Sequence, residues 1–407
     1  MAEVIEREGY KVRLRVSLST EEVEKAFQEV LKQQRARVQL PGFRPGKAPE
    51  KLLEARIGSE ALREAAQEVL VDRSYPQAVR ELTLSPVGAR LVEKVLPARG
   101  EPFVYEVEVE NYPEVKLPDW QSFKLEAETP EFSPDLVERA LDELRERYGE
   151  VSHVERPVEA NDHVVLEFDD GSHTHLELPR ATDEVKSILL GHSPGDEVVL
   201  PGSEGSEIKA RIREVEEVIL PELDEDFAKT LGYDSLEETR ANLAEQLQED
   251  LAARALLARK RELLEKLAEN LEVEIPPSML ARERRAVLTQ LSEDLAEQGS
   301  SLSLLLGQMR ETGKIEEFEA DLEAEAQRRV RRFLAAEKLA EQLGTTLSEE
   351  EWTNSFREQA RSQGMQPAEY RQALGQEGVA VLRTQFTQEK ALGQAVAQLT
   401  GETEGGQ

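Results

Sequence analysis

From Pro221 to about Thr400 the chain follows an almost unbroken amphipathic helical pattern, which restricts this part of the molecule to packed helices. The apolar residues recur at helical spacing without a strict heptad repeat, so we expect an array of helices rather than one long coiled coil. Ser348 and Glu351 have the spacing of a helix-capping box, and Leu347 and Trp352 flank that box as a hydrophobic staple does. A helix is therefore predicted to begin just after Ser348.

The first part of the chain mixes strand and helix patterns. Apolar and charged residues alternate over 10–18 and over 103–110, as they do in half-buried strands. Residues 19–31 and 49–79 carry apolar side chains at helical spacing instead. Strands that flank helices predict an α+β domain over residues 1–112.

The middle of the chain changes character twice. Residues 113–150 begin as a proline-broken linker and continue into a helix, and residues 151–220 contain short strand patterns separated by Gly, Pro and Ser. The predicted fold class is therefore multidomain α+β. It consists of an N-terminal α+β domain, a small β-rich inserted domain, and an elongated all-α C-terminal domain over 221–407.

Composition excludes several classes of protein. The chain has 407 residues and no cysteine, so disulfides, thiolate nucleophiles and cysteine-based zinc sites are ruled out. The N-terminus is charged from Glu3 onward, and no window is apolar enough to span a membrane. We therefore expect a cytoplasmic protein.

The charge is distributed unevenly along the chain. Residues 1–100 carry 18 Lys and Arg against 15 Asp and Glu, although the whole chain has a formal charge of −32. Residues 32–56 alone hold seven basic side chains and two acidic ones. Screening by salt lets such a local basic site meet phosphate groups despite the distant negative charge. A solvated helix face is the simpler interpretation of the same pattern.

A loop of constrained shape lies within this basic segment. Residues 40–49 contain three prolines and two glycines, which interrupt the helical pattern. A phosphate-binding loop is unlike it, because only three residues separate Gly42 from Gly46 and Ala48 stands where a hydroxyl would hold magnesium. Phe43 between such rigid turns is suited to anchor the loop on a partner. From the residues alone, a binding loop and a structural turn remain equal alternatives.

The string Gly-Phe-Arg-Pro-Gly-Lys-Ala-Pro over 42–49 resembles G-F-R-x-G-K-x-P, the ribosome-docking signature of the trigger factor family of bacterial chaperones. All six fixed positions match. The domain order is also similar, as are the segments 220–227 and 273–279. The resemblance implies a ribosome-binding site formed by Gly42, Phe43, Arg44, Pro45, Gly46, Lys47 and Pro49.

The family's behaviour then implies the partners. Phe43, Arg44 and Lys47 would dock on protein and RNA of the large ribosomal subunit beside the exit tunnel. The helical domain would hold unfolded nascent polypeptides without ATP or any cofactor, and the 113–150 linker would return to that domain. Neither a membrane nor DNA is expected as a partner, and a homodimer off the ribosome is left open.

In the family, the inserted domain is similar to FK506-binding peptidyl-prolyl isomerases, whose pocket is lined by aromatic rings. Between Asp162 and Val218, the only aromatic ring here apart from histidine is Phe168. We therefore expect a degenerate isomerase domain that serves as a client-holding arm, and we assign no catalytic residue. An isomerase that acts on nascent chains is the alternative function, and an acidic helical scaffold without a ribosome role is a further rival.

Two remaining groups of residues are ambiguous. His173 and His175 share a strand face and could hold a metal, but no carboxylate set is apparent beside them, so solvated histidines and no metal site are predicted. The uncharged run 299–309 includes four leucines and Met309, which would suit either client binding or an ordinary core. The pattern favours the core.

Overall fold

The computed structural model describes residues 1–37, 49–127, 130–168, 170–202 and 207–401. The chain divides into two compact units, of which the first combines Met1–Glu126 with Arg259–Gln407 and the second is Ala127–Ala258. Among the described residues, no helix combines the length and the apolar composition that a bilayer crossing requires.

The described residues in the N-terminal part of the first unit form a four-stranded antiparallel sheet and three helices. The strand order is β1-β2-β4-β3. The strands are β1 (Ala2–Glu8), β2 (Lys11–Leu18), β3 (Pro86–Leu91) and β4 (Phe103–Asn111). The helices are α1 (Thr20–Arg37), α2 (Glu50–Ile57) and α3 (Ser59–Glu81). Strands β2 and β4 confirm the predicted period-two segments, because every second side chain is buried in the core.

The predicted helix over 49–79 is two helices in the structure. Gly58 separates α2 from α3 with φ 92°, a left-handed conformation that favours glycine, and its amide closes α2 on the carbonyl of Glu54. The two helices bury different residues, with Leu53 from α2 and Leu62 and Leu70 from α3 among the shared core. The break therefore lets both helices contribute side chains to the same core.

The helical part of the first unit forms its own core. This part begins with the C-terminal portion of the long helix α7 (Leu236–Glu269). The helices that follow are α8 (Pro277–Glu297), α9 (Leu302–Glu311), α10 (Ile315–Leu343), α11 (Glu349–Ser362) and α12 (Pro367–Thr400). Trp120, at the start of a 3-10 helix (Trp120–Ser122), is buried in one cluster with Leu263 and Leu267 of α7 and Leu334 of α10. Lys116 forms a β-bridge with Glu272. Residues 112–125 thus contribute to the same apolar core as these helices.

The capping signals are confirmed at α11. Ser348 and Glu351 form the reciprocal capping box, and Leu347 packs on the cluster of Trp352, Phe356 and Leu382. Lys390 of α12 donates to a carboxylate oxygen of Glu351 at 2.5 Å. These contacts explain why the helix begins where the sequence predicts.

The second unit contains a five-stranded antiparallel sheet. The long strand β9 pairs with three others, and the order is β5-β9-β6-β7 with β8 also on β9. The strands are β5 (Glu150–Val154), β6 (His163–Phe168), β7 (His173–Glu177), β8 (Glu197–Pro201) and β9 (Glu207–Ile219). The helices are α4 (Pro134–Arg147), α5 (Asp183–Leu189), α6 (Glu225–Thr230) and the first part of α7. An α/β N-terminal region, a β-rich middle and an all-helical C-terminal region confirm the predicted fold class.

Candidate functional site

Six residues of the predicted docking site, Gly42, Phe43, Arg44, Pro45, Gly46 and Lys47, lie outside the described residues. Pro49 is described, and it is the residue from which α2 begins. Its backbone is extended, and its carbonyl accepts hydrogen bonds from the amides of Leu52 and Leu53 at 3.1 Å. Proline suits this position because it has no backbone N–H to leave unpaired and its φ is fixed.

The helices on both sides of the 38–48 segment are held firmly in the N-terminal core. Helix α1 buries Phe27 and Leu31, and α2 buries Leu53 completely. At the start of α1, the amide of Ser19 donates to the carboxylate of Glu22 at 2.7 Å, which completes a capping box and lowers the pKa of Glu22. The predicted docking segment is therefore anchored at both ends on one packed domain.

Arg99 joins these two helices. Its guanidinium bonds Glu54 of α2 at 2.8 Å and Glu24 of α1 at 3.2 Å, and it lies over the ring of Phe27, 5.4 Å from the centroid. A planar guanidinium has five N–H donors and a flat face, so it binds two carboxylates while it stacks on an aromatic ring better than the smaller ammonium of lysine does. Sequence reasoning missed Arg99, because its partners are distant in the chain.

Part of the predicted basic segment can be located. Of its seven basic residues, the structure describes the side chains of Lys32, Arg35 and Arg56. Lys32 on α1 and Arg56 on α2 are exposed, whereas Arg35 is half-buried. Exposed cations thus lie on both helices that flank the predicted docking segment, outside the signature itself.

The five-stranded sheet of the second unit packs on an aliphatic core. Leu166, Leu178, Leu189 and Ile212 are buried at its centre, and Phe168 packs only at its margin. An isomerase pocket needs rings that exclude water from the twisted amide. The described residues supply one partly buried ring to this core, which is the composition that the sequence predicts.

An ion pair between the buried Asp162 and the partly exposed Arg156 lies directly before β6. Asp162, 2% exposed, accepts bidentate hydrogen bonds from Arg156 at 2.6 and 2.9 Å and a third from the amide of Glu159 at 2.8 Å. The carboxylate raises the pKa of Arg156. Because its lone pairs are satisfied, Asp162 acts as a structural group rather than as a candidate catalytic base.

Helix α9 exposes the apolar run that the sequence left ambiguous. The structure describes every residue of α9, and none is buried. Leu304 is 55% exposed, and Leu302, Leu305 and Met309 are half-buried. A core role, which the pattern favoured, is therefore wrong for this helix.

The neighbouring helix shares this property. No residue of α8, which the structure also describes in full, is buried, although Met279 and Leu280 near its start pack against the helical core. Phe333 on α10 is also a large apolar side chain with much of its surface exposed. Half-exposed leucine, methionine and phenylalanine side chains form the kind of adaptable surface on which unfolded chains can bind.

Comparison with known proteins finds one family over most of the chain. The family model described as bacterial trigger factor protein (TF) matches residues 1–144, and the model for its C-terminus matches residues 235–397. A trigger factor of Thermus thermophilus is 46% identical over 404 residues, which cover 98% of this chain and all of the relative. The trigger factor of Deinococcus deserti is 37% identical over 412 residues, covering 98% of this chain and 94% of the relative.

A solved structure of the trigger factor chaperone, from work on promiscuous substrate recognition in folding and assembly, has the same fold. It superimposes with a TM-score of 0.62 at 22% identity and covers 98% of this chain and all of its own. The two family models and the full-length identity to curated relatives show that this chain belongs to the trigger factor family.

Proposed function

We propose that this chain is an ATP-independent, ribosome-associated chaperone that docks beside the nascent-chain exit and shields newly made polypeptides in the cytoplasm. The full-length similarity to trigger factors carries the proposal. The docking signature at 42–49 and the half-exposed apolar side chains of α9 support its two halves.

In this proposal the docking segment combines one apolar and two charged contacts. Phe43 fills a pocket on the large ribosomal subunit, while Arg44 and Lys47 bind phosphates or carboxylates beside it. Anchoring by α1, α2 and Arg99 reduces the conformational entropy that the segment loses on docking. Arg44 and Lys47, rather than Phe43, set the salt dependence of ribosome binding.

In this proposal each part of the chain has its own role. Residues 1–112 dock, 113–150 link the docking domain to the helical domain, and 221–407 bind the client. Residues 151–220 act as a further arm without isomerase turnover, because the domain has lost the rings that would enclose a proline.

Co-sedimentation with bacterial ribosomes tests the docking half. The native chain is compared with a Phe43→Ala/Arg44→Ala/Lys47→Ala variant at two salt concentrations. A Lys32→Ala/Arg56→Ala variant is the matched control, because it removes two exposed cations of the same segment outside the signature. We expect the native chain and the control to pellet and the triple variant to remain in the supernatant. Equal pelleting of all three would contradict the assignment.

A proline-isomerisation assay on an unfolded peptide tests the remaining assignment. We expect no turnover above the uncatalysed rate, whose barrier is about 18–20 kcal/mol. Turnover that disappears when the 151–220 domain is deleted would establish the isomerase alternative instead.

A further inference from the structure

Four of the five histidines lie on one face of the middle sheet. In the strand register, His153 of β5 and His163 of β6 both pair with Glu216 of β9. One step along the sheet, Val165 of β6 pairs with both Glu214 of β9 and His175 of β7. Since paired residues share a face and i, i+2 residues do too, these imidazoles and carboxylates project from the same side.

The closest of these groups have the separations of metal ligands. His153 Nδ1 lies 3.3 Å from Glu214 Oε2 and 3.7 Å from Glu216 Oε1. One ligand atom from each of the three residues lies within 4.8 Å of the others. Zinc bonds of about 2.0–2.2 Å in a tetrahedron place neighbouring ligand atoms about 3.3–3.6 Å apart. Small side-chain adjustments would therefore bring all three atoms onto one ion.

A second imidazole contacts the other oxygen of Glu216. His175 Nδ1 is 3.8 Å from Glu216 Oε2, whereas His153 faces Oε1, so His175 contacts the carboxylate without being one of the three clustered ligands. His153 is 68% exposed, which leaves its imidazole free to turn toward an ion and leaves a path for the ion's entry.

Glu216 supplies an independent reason for a cation at this position. Glu216 is only 9% exposed, and its ion-pair partners within the described part of the chain are His153 and His175. Glu214, in contrast, also contacts Arg213, through Oε1 at 3.3 Å. A nearly buried carboxylate is costly unless a positive charge compensates it. A divalent cation would neutralise the two carboxylates together.

We propose that His153, Glu214 and Glu216 form a binding site for a zinc-class divalent transition-metal ion, with His175 holding the second oxygen of Glu216. Imidazole nitrogens select zinc and its transition-metal neighbours over magnesium and calcium, which prefer oxygen ligands. The bound ion ties β5 to the central strand β9. Because it binds only the folded sheet, it stabilises the second unit by an amount that rises with the logarithm of the metal concentration once that concentration exceeds the dissociation constant.

Zinc titration of the full chain at pH 7.5 tests the site, with a chromophoric zinc chelator as competitor. The absence of cysteine removes thiolate binding from the background. We expect one zinc ion per native chain. His153→Ala and Glu216→Gln should each weaken binding at least about tenfold, because even loss of outer-shell partners costs 10–100-fold. His192→Ala is the matched control, since His192 lies outside the sheet strands.

Three results would overturn the proposal. The first is unchanged zinc affinity in His153→Ala, an exposed position whose replacement leaves the core intact. The second is an equal loss of affinity in His192→Ala. The third is displacement of zinc by equimolar magnesium, which would indicate diffuse attraction to acidic residues. Hydrogen exchange gives a second readout, because zinc should slow exchange of β5 and β9 amides in the native chain and not in His153→Ala.

Discussion

Replacing Leu304 by serine should weaken client binding while leaving the helical fold intact. Full burial of a leucine side chain stabilises by about 1.5–3 kcal/mol. Because 55% of Leu304 is exposed in the free chain, contact with a client can gain about 0.8–1.6 kcal/mol at this position. The expected loss of affinity in Leu304→Ser is therefore about 4- to 14-fold.

Fluorescence anisotropy of a labelled, permanently unfolded polypeptide measures this affinity directly. Val104→Ser is the matched control, because Val104 is an exposed apolar residue, 42% accessible, on β4 of the N-terminal sheet. Far-UV circular dichroism verifies that both variants keep their helices. If Leu304→Ser binds the client as tightly as the native chain, or if Val104→Ser weakens binding equally, the client surface is not on α9.

Three further predictions concern contacts within each unit. Asp162→Ala should destabilise the second unit by about 1–3 kcal/mol, because it removes the carboxylate that accepts hydrogen bonds from Arg156 and from the amide of Glu159. Faster hydrogen exchange of β6 amides measures the loss, and an unchanged exchange rate would contradict the role of this pair. Arg99→Ala should lower the free energy of unfolding by about 1–2 kcal/mol, because it removes two ion pairs and a cation–π contact. Faster hydrogen exchange of the α1 and α2 amides measures this loss, and Arg99→Lys should restore only part of the stability. Hydrogen bonds from Lys390 and Ser348 lower the pKa of Glu351 from 4.5 to about 2. The stability that the ionised Glu351 contributes is therefore present above pH 4.5 and is lost as the pH falls toward 2. Acid titration of α11 helicity should therefore be less steep in this window for Glu351→Gln, and an identical titration would refute the assignment.

The strands show where sequence patterns carry structural information. Strands β2 and β4 could be predicted because each has one face in the core, which imposes alternation on the sequence. Strand β1 could not, because it is an edge strand with almost every residue exposed, so no side of it is required to be apolar. Strand β3 is short, with no fully buried residue.

Local signals predicted helix ends better than helix breaks. The capping box of Ser348 and Glu351 lies within four residues of sequence, so its chemistry is visible without the fold. The break at Gly58 was not predictable in the same way, since a glycine within a helical pattern is compatible with continuation. Burial of Leu53 and Leu62 in the same core decides where the helix breaks, and that burial is a tertiary property.

Whether a candidate site could be predicted also depended on how far apart its residues lie in the sequence. The signature at 42–49 is contiguous and could be recognised from its residues alone. The contacts of Arg99 and the cluster of His153, Glu214 and Glu216 join residues that are far apart in the chain, so only the paired strands and packed helices reveal them. The run on α9 was misjudged because an uncharged segment is the same in sequence whether it is covered or exposed.

We propose that this chain docks on the ribosome through 42–49 and meets the nascent polypeptide through its half-exposed apolar helices. A photo-crosslinking side chain at position 304, on ribosomes stalled with a labelled nascent chain, tests both halves in one measurement. We predict a crosslink to the nascent chain with the native loop and its loss in the Phe43→Ala/Arg44→Ala/Lys47→Ala variant. A crosslink of equal yield in that variant, or none while the native chain is ribosome-bound, would contradict the account.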